Sequence, residues 1–311
     1  MTGPSEPATA TPRPPLCSVT ARERADPLTA TAVTTRRWLL VEHPGPWAFD
    51  ALAGSGIDPT VRGELVAAVR ATGTRLLLVR RPGRLDRGPA RSWAIADVDA
   101  GVPTQWGEWD TDADLVEAAR RLTAPTPAPP AGWDSEPPLL LVCTHGRHDT
   151  CCAVRGRPVA AALAQRWPAQ TWECSHVGGD RFAANLVVLP DGAYYGDVEP
   201  QEAVDVVEAH LRGAMSVRHL RGLSTQPPVV QAAVGATHQR FGPAGPRDAT
   251  CTETTRTAAD TWTVHLRCTG PLPDVVTATV TRTRRPPALL TCQARQPSTS
   301  WEWTVSELHV D

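Results

Sequence analysis

Apolar positions along the first third of the chain fall into short blocks of two periods. "RRWLLVEHPGPW" (36–47) is an apolar run closed by a Pro-Gly-Pro turn, which predicts a buried strand. "VRGELVAAVRATG" (61–73) has helical spacing and stops at a glycine suited to a helix C-terminus. "TRLLLVRRPG" and "RSWAIADV" predict two further strands, and "DADLVEAARRL" (112–122) an amphipathic helix. The Pro-rich stretch "TAPTPAPPAGWDSEPP" (123–138) has no periodicity and reads as a linker.

The same grammar then returns. "LLLVCTHG" (139–146) predicts a strand, "PVAAALAQRW" (158–167) a helix opened by Pro158, and "QTWECSHV" (170–177) a strand. "NLVVLPDGAYYGDV" (185–198) predicts a hairpin turning at Pro190-Asp191-Gly192, followed by a helix at 200–213 and another at 228–240. Beyond residue 249 the texture becomes strict alternation. "DTWTVHLRC", "DVVTATVTRTR", "ALLTCQARQ" and "SWEWTVSELHV" predict half-buried antiparallel strands. The organisation read from these patterns is a tail at 1–16, a first α/β lobe at 17–122, and the linker at 123–138. A second α/β lobe at 139–248 and a small β unit at 249–311 complete it.

Composition narrows the partners more than the fold. With 41% apolar and 21% charged residues in 311, the chain can bury sizeable cores. A net charge of −2 gives no reason to expect nucleic acid as a partner. All 31 basic residues are arginine, a bias that coding composition explains without invoking function. No window has the length of apolar sequence that spans a membrane, and no export signal is visible, so the expected compartment is the cytoplasm. Disulfides rarely persist there, and the eight cysteines therefore read as core residues, metal ligands or redox thiols.

The chemistry concentrates in two segments. "CTHGRHDTCCAVRGRP" (143–158) sets Cys143 at a strand end with Cys151 and Cys152 after a short loop. "TWECSHVGGDRFAANLVV" (171–188) sets His176 and Asp180 around a Gly178-Gly179 pair that lets the backbone turn sharply. Strand ends in an open α/β layer face a crevice, so two thiols and an imidazole could meet there. Iron–sulfur centres use such ligands, and zinc would accept them too. By spacing alone a metal site, a thiol site and a crowded core all stay open. Cys151-Cys152 could be a reactive pair near Arg147, His148 and Arg155, or one ligand beside a buried neighbour. His145 and His148 read as metal ligands, as donors behind a metal ligand or as exposed loop residues, and Arg181 as a partner for Asp180 or a screen for a cluster. Cys17, Cys251, Cys268 and Cys292 read as small buried hydrophobes, and Trp47, Trp106 and Trp109 as packing residues at turns.

These two motifs, with the early "LLVEHPGPW", resemble the sucrase/ferredoxin-like proteins over roughly residues 17–240. The resemblance implies an α/β fold of two thioredoxin-like lobes, with a 2Fe–2S cluster in the second, plus the C-terminal antiparallel unit. It implies Cys143, Cys152 and His176 as ligands. Asp180 stands where the family pattern, H-x-G-G-H, has its second histidine. Asp180 could ligate directly, Cys151 or Cys174 could take its place, or the motif could persist without a cluster and act through thiols, zinc or partner binding. The function implied is electron transfer with a redox protein as partner, and no sugar hydrolysis is expected. No G-x-G-x-x-G or P-loop pattern suggests that the chain binds its own nucleotide.

Overall fold

The computed structural model describes residues 15–83, 91–98, 101–129 and 136–310. The expected tail at 1–16 lies almost wholly outside them, and the expected linker at 123–138 partly so. Among the described residues, no helix is long and apolar enough to cross a membrane.

Two sheets organise the described residues. The first half supplies β1 (Arg37–Glu42), α2 (Pro59–Thr72), β2 (Arg75–Arg80), β3 (Arg91–Asp97), β4 (Gln105–Trp109) and α3 (Leu115–Thr123), after a short α1 (Cys17–Glu23). The second half supplies β5 (Leu139–Cys143), α4 (Thr150–Arg166), β6 (Thr171–Cys174), β7 (Leu186–Leu189), β8 (Ala193–Tyr195), α5 (Ala203–Leu211), β9 (Leu220–Leu223) and α6 (Pro228–Phe241). All nine strands form one sheet in the order β4-β3-β1-β2-β6-β5-β7-β8-β9.

Each half repeats one plan. Its first two strands run parallel across a helix, its third pairs antiparallel with the first, and its fourth with the third. The halves meet where β2 and β6, the second strand of each, pair antiparallel at Val79–Cys174 and Arg80–Glu173. The seam is reinforced by Arg80 Nε, which donates to Glu173 Oε2 at 2.7 Å, and by Ser175 N to Leu78 O at 2.8 Å. One core cluster crosses the seam, uniting Trp38, Leu40 and Val79 with Leu141, Cys143 and Cys152. The remaining strands, β10 (Ala249–Ala258), β11 (Thr261–Cys268), β12 (Val275–Arg284) and β13 (Trp301–Val310), form a separate antiparallel meander packed on α6.

Several elements depart from the sequence pattern. α4 begins at Thr150, not at Pro158, because the Asp149 side chain caps it by accepting from Cys151 N at 2.8 Å. Pro158 lies inside that helix and removes one rung of its hydrogen bonds. The "ALLTCQARQ" segment is a loop with one isolated bridge, Ala288–Ser298, and not a strand. The prolines at its start limit ladder hydrogen bonding there. α1 and β9 carried too little periodicity to be anticipated. Trp106 lies exposed on β4 and not at a turn, while Trp109 ends that strand buried.

α4 can lie against the end of β5 because it carries Gly156 there. A Cβ at that position would stand 2.1 Å from the Cys143 carbonyl oxygen. Gly156→Ala should therefore destabilise the fold by about 1–3 kcal/mol. Gly63→Ala, in α2 with open space around it, should stabilise by up to about 1 kcal/mol. Urea unfolding of the two variants gives opposite shifts if this packing is right. A second expectation concerns pH. Burial holds the His238 imidazole, inside the α6 interface, below its ordinary pKa. The unfolded chain takes up that proton near pH 6.5, the native chain only lower. Stability should fall as pH drops below about 6.5, and His238→Leu should lessen the slope in a pH series of denaturation curves.

Candidate metal centre

β5 ends at Cys143 and β6 at Cys174, side by side in parallel register. The next residues of each strand turn out of the sheet and bring the two motifs together. On one side, Cys143 N donates to Asn185 O at 3.0 Å, tying the strand end to the start of β7. On the other, Gly178 and Gly179 adopt φ of +90° and +77°, the left-handed region that favours glycine. A side chain at Gly179 would also collide with Arg221, whose Nη2 would lie 2.3 Å from its Cβ.

Arg221 fixes this turn. It is 1% exposed, and its guanidinium donates to Gly178 O at 2.9 Å, Asn185 Oδ1 at 2.8 Å and Thr31 Oγ1 at 3.0 Å, and also to Thr31 O. Asn185 Nδ2 returns a bond to Gly179 O at 3.0 Å. Burial pulls the Arg221 pKa down to about 10, which still leaves it charged at neutral pH.

The turn presents His176 and Asp180 to the two thiols. Cys152 Sγ donates to Asp180 Oδ1 at 3.2 Å, and His176 Nδ1 lies 2.9 Å from the same oxygen. That approach lacks the alignment of a hydrogen bond, so Nδ1 is a buried nitrogen without a hydrogen-bond partner. Burial works to raise the Asp180 carboxyl, but His176 and the Cys152 thiol together hold it below the usual range. The Cys143 thiol is held low by the Cys152 hydrogen bond, then by the His145 backbone N–H, against its burial. Cys152 is pushed up by the same hydrogen bond and by burial. The two sulfurs are thus coupled, with the proton held more tightly on Cys152 than on Cys143.

The surrounding residues sort differently from the sequence expectation. His145 is buried and not an exposed loop residue, with Nε2 2.6 Å from Ala48 O. His148 is half-buried, stacks on His176 at a centroid distance of 3.8 Å, and brings Nε2 to 4.0 Å from Asp180 Oδ2. Both lie in a loop, and its packing against residues 48 and 49 leaves no local trace in sequence. Arg181 turns away from Asp180 and pairs with Asp26 at 3.2 Å. The short 3-10 turn Asp180–Phe182 sends adjacent side chains to different sides. Cys174 lies in the core beside Cys143, its thiol pushed up by burial. Cys151 belongs to another cluster, with Cys17 and Cys292. Cys292 therefore sits on the loop that replaced the expected strand, and Cys17 and Cys292 are more than isolated core residues.

The donor set of Cys143, Cys152, His176 and Asp180 is two thiols, an imidazole whose Nδ1 makes no aligned hydrogen bond, and a carboxylate. Soft sulfur with borderline nitrogen fits a transition-metal group, and this Nδ1 is a donor that such a group would satisfy. The carboxylate is the hard member of the set.

Residues 28–222 match the family model for sucrase/ferredoxin-like proteins. The match takes in more than half of the chain, and the chain belongs to that family. It is 30% identical over 90 residues to altered inheritance of mitochondria protein 32 of Meyerozyma guilliermondii, covering 26% of this chain and 32% of that protein. It is 42% identical over 43 residues to a 2Fe–2S ferredoxin of Aquifex aeolicus, covering 14% of this chain and 39% of that one. The chain thus spans between about a third and two fifths of the curated relatives it matches. Among solved structures, the thioredoxin-like [2Fe–2S] ferredoxin of Aquifex aeolicus aligns with 24% identity and a TM-score of 0.26, over 30% of this chain and 97% of that chain. A cysteine-to-serine variant of it aligns with 22% identity and a TM-score of 0.24, over 27% and 96%.

The Arg221 clamp generates a prediction. Arg221→Met would leave two half-buried carbonyls and the buried Asn185 side chain without their donor, at up to about 1–3 kcal/mol each. The expected loss in a urea titration is therefore several kcal/mol, with Arg221→Lys intermediate because it offers fewer donors in a different geometry.

Proposed function

We propose that this chain is an electron carrier on two thioredoxin-like lobes, with a 2Fe–2S cluster held in the second lobe by Cys143, Cys152 and His176. Asp180 takes the fourth place. The observation that carries this reading is the meeting of two buried thiols with the His176 Nδ1 and the Asp180 carboxylate beyond the ends of β5 and β6. Family membership and the local identity to a protein named as a 2Fe–2S ferredoxin support it. When bound, such a cluster accepts and returns one electron.

The chain's own residues set the conditions for that exchange. The His145 backbone N–H donates to the Cys143 sulfur, which stabilises its anionic form. Leu141, Val177 and Tyr194 line the same core and exclude water from the sulfurs. His148 covers one face of the His176 ring, and the His176 side chain as a whole remains 28% exposed. A cleft of about 260 Å³, lined by Leu76, Leu78 and Phe49 on one side and His145, His148 and His176 on the other, opens beside it. His176 is thus the ligand that a redox partner could approach. Asp180 adds a negative charge where the family pattern has an imidazole, and it carries no proton to exchange near neutral pH.

A thiol-exchange role for the same residues is disfavoured by access. Cys143 and Cys152 are each 1% exposed, so a disulfide substrate has no route to either sulfur.

Anaerobic purification with iron and acid-labile sulfide assays tests the proposal. The expected result is a red-brown chain with about two irons and two sulfides, lost in Cys143→Ser and retained in Asp180→His. A colourless wild type beside a coloured Asp180→His would mean that the scaffold binds a cluster only with the second imidazole. Two colourless proteins, from cells that assemble clusters normally, would overturn the iron–sulfur reading.

A further inference from the structure

A second sulfur cluster lies on the far side of the Cys151-Cys152 peptide. Cys17 Sγ and Cys151 Sγ are 3.5 Å apart, Cys151 Sγ and Cys292 Sγ 3.3 Å, and Cys292 Sγ and Cys17 Sγ 3.6 Å. Three residues separated by more than a hundred positions in sequence thus form a nearly equilateral triangle of sulfurs. The Asp149 carboxylate stands beside it, with Oδ2 3.6 Å and Oδ1 3.8 Å from Cys17 Sγ. The four ligand atoms all lie within 4.8 Å of one another.

From this geometry we infer a second metal site, in which Cys17, Cys151, Cys292 and Asp149 bind a thiophilic divalent cation of the zinc type. A Zn–S bond of about 2.3 Å in tetrahedral geometry separates sulfurs by about 3.8 Å. The observed edges come within about half an ångström of that, so small rotations of the side chains would seat the ion. Cys17 and Cys151 are buried and Cys292 half-buried, which matches a closed structural centre.

Two further features fit a thiolate centre. Backbone N–H groups already point at two of the sulfurs, Ser18 N to Cys151 Sγ and Cys17 N to Cys292 Sγ, each at 3.4 Å. Asp149 is oriented by Cys151 N at 2.8 Å and Cys292 N at 2.6 Å, one on each oxygen, which leaves a lone pair on each for a metal. Binding would release the thiol protons to solvent.

Cys292 does not owe its position to the sulfurs alone. Arg285 donates to Arg24 O at 2.9 Å and pairs with Asp26 at 3.2 Å, and Arg24 donates to Pro286 O at 3.0 Å. The loop that carries Cys292 is therefore seated on the end of α1 by polar contacts of its own. A bound ion would staple α1, the cap of α4 and the C-terminal unit together. A single disulfide would need an S–S separation of about 2.05 Å and would strand the third thiol.

Cobalt(II) titration of the reduced, metal-free full-length chain tests this site, with Cys17→Ser, Cys292→Ser and Cys143→Ser alongside. The expected result is about one equivalent of cobalt with the visible bands of a tetrahedral thiolate complex, retained in Cys143→Ser and lost in Cys17→Ser and Cys292→Ser. Cobalt taken up at the first motif would instead disappear in Cys143→Ser, so failure of one site is distinguishable from failure of the other. Should the serine variants not fold, alkylation of the wild type with and without zinc decides the matter. Zinc should protect Cys17, Cys151 and Cys292 in mapped peptides, with the half-buried Cys292 as the sensitive reporter. Bands that survive in both serine variants, or alkylation of Cys292 unchanged by zinc, would overturn the assignment. So would a native disulfide among the three whose reduced form binds no metal.

Discussion

A buried arginine with no carboxylate in its immediate hydrogen-bond set organises this molecule. The Arg221 guanidinium is satisfied by carbonyl, amide and hydroxyl oxygens from three separate segments. Burying such a charge is costly unless every donor finds an acceptor. The requirement runs in both directions, because the Gly178 carbonyl and the Asn185 side chain have their donor only while Arg221 is in place. Asn185 then links the turn to Cys143 through its own backbone carbonyl. The positions of His176 and Asp180 relative to the thiols are consequences of that clamp, together with the two glycines that let the chain pass over it.

Local pattern made the repeated strand and helix order legible, since periodicities of 2 and 3.6 survive wherever one face is buried. The two motifs were legible too, because Cys143 ends β5 and His176 follows the end of β6, with Cys152 and Asp180 on the segments that come next. Arg221 was not, as nothing near it in sequence distinguishes it from a surface arginine in a chain rich in them. Cys17 and Cys292 escaped for a related reason: their partner lies 134 and 141 positions away. Asp149 did leave a trace, an acidic residue two positions before Cys151, but the proline at 158 competed with it as a helix start. The edge pairing of β2 with β6 also had no local signal, because strand sequence reports which face is buried and not which edge is covered.

Placing two sulfur clusters back to back has a structural logic. Adjacent residues at the start of α4 diverge, so Cys151 and Cys152 face different cores while sharing one peptide unit. Asp149 caps that helix and contacts the Cys17–Cys292 side, while His148, one residue earlier, stacks on His176. A displacement at either cluster is therefore felt by the same helical turn, which Gly156 presses against the Cys143 carbonyl.

The seam between the halves bears on how the molecule behaves at low concentration. A half of this plan on its own would leave its second strand with an open row of backbone donors and acceptors, a surface that recruits a second molecule. Here the equivalent strand of the other half fills that row, and the connection is covalent. Two separate molecules would fall apart on dilution, whereas this pairing is independent of how much protein is present. The first half, whose β1 ends in Glu42 where β5 ends in Cys143, thus serves the second as a permanently attached partner. It supplies one wall of the cleft beside His176, and no cysteine of its own lines that cleft.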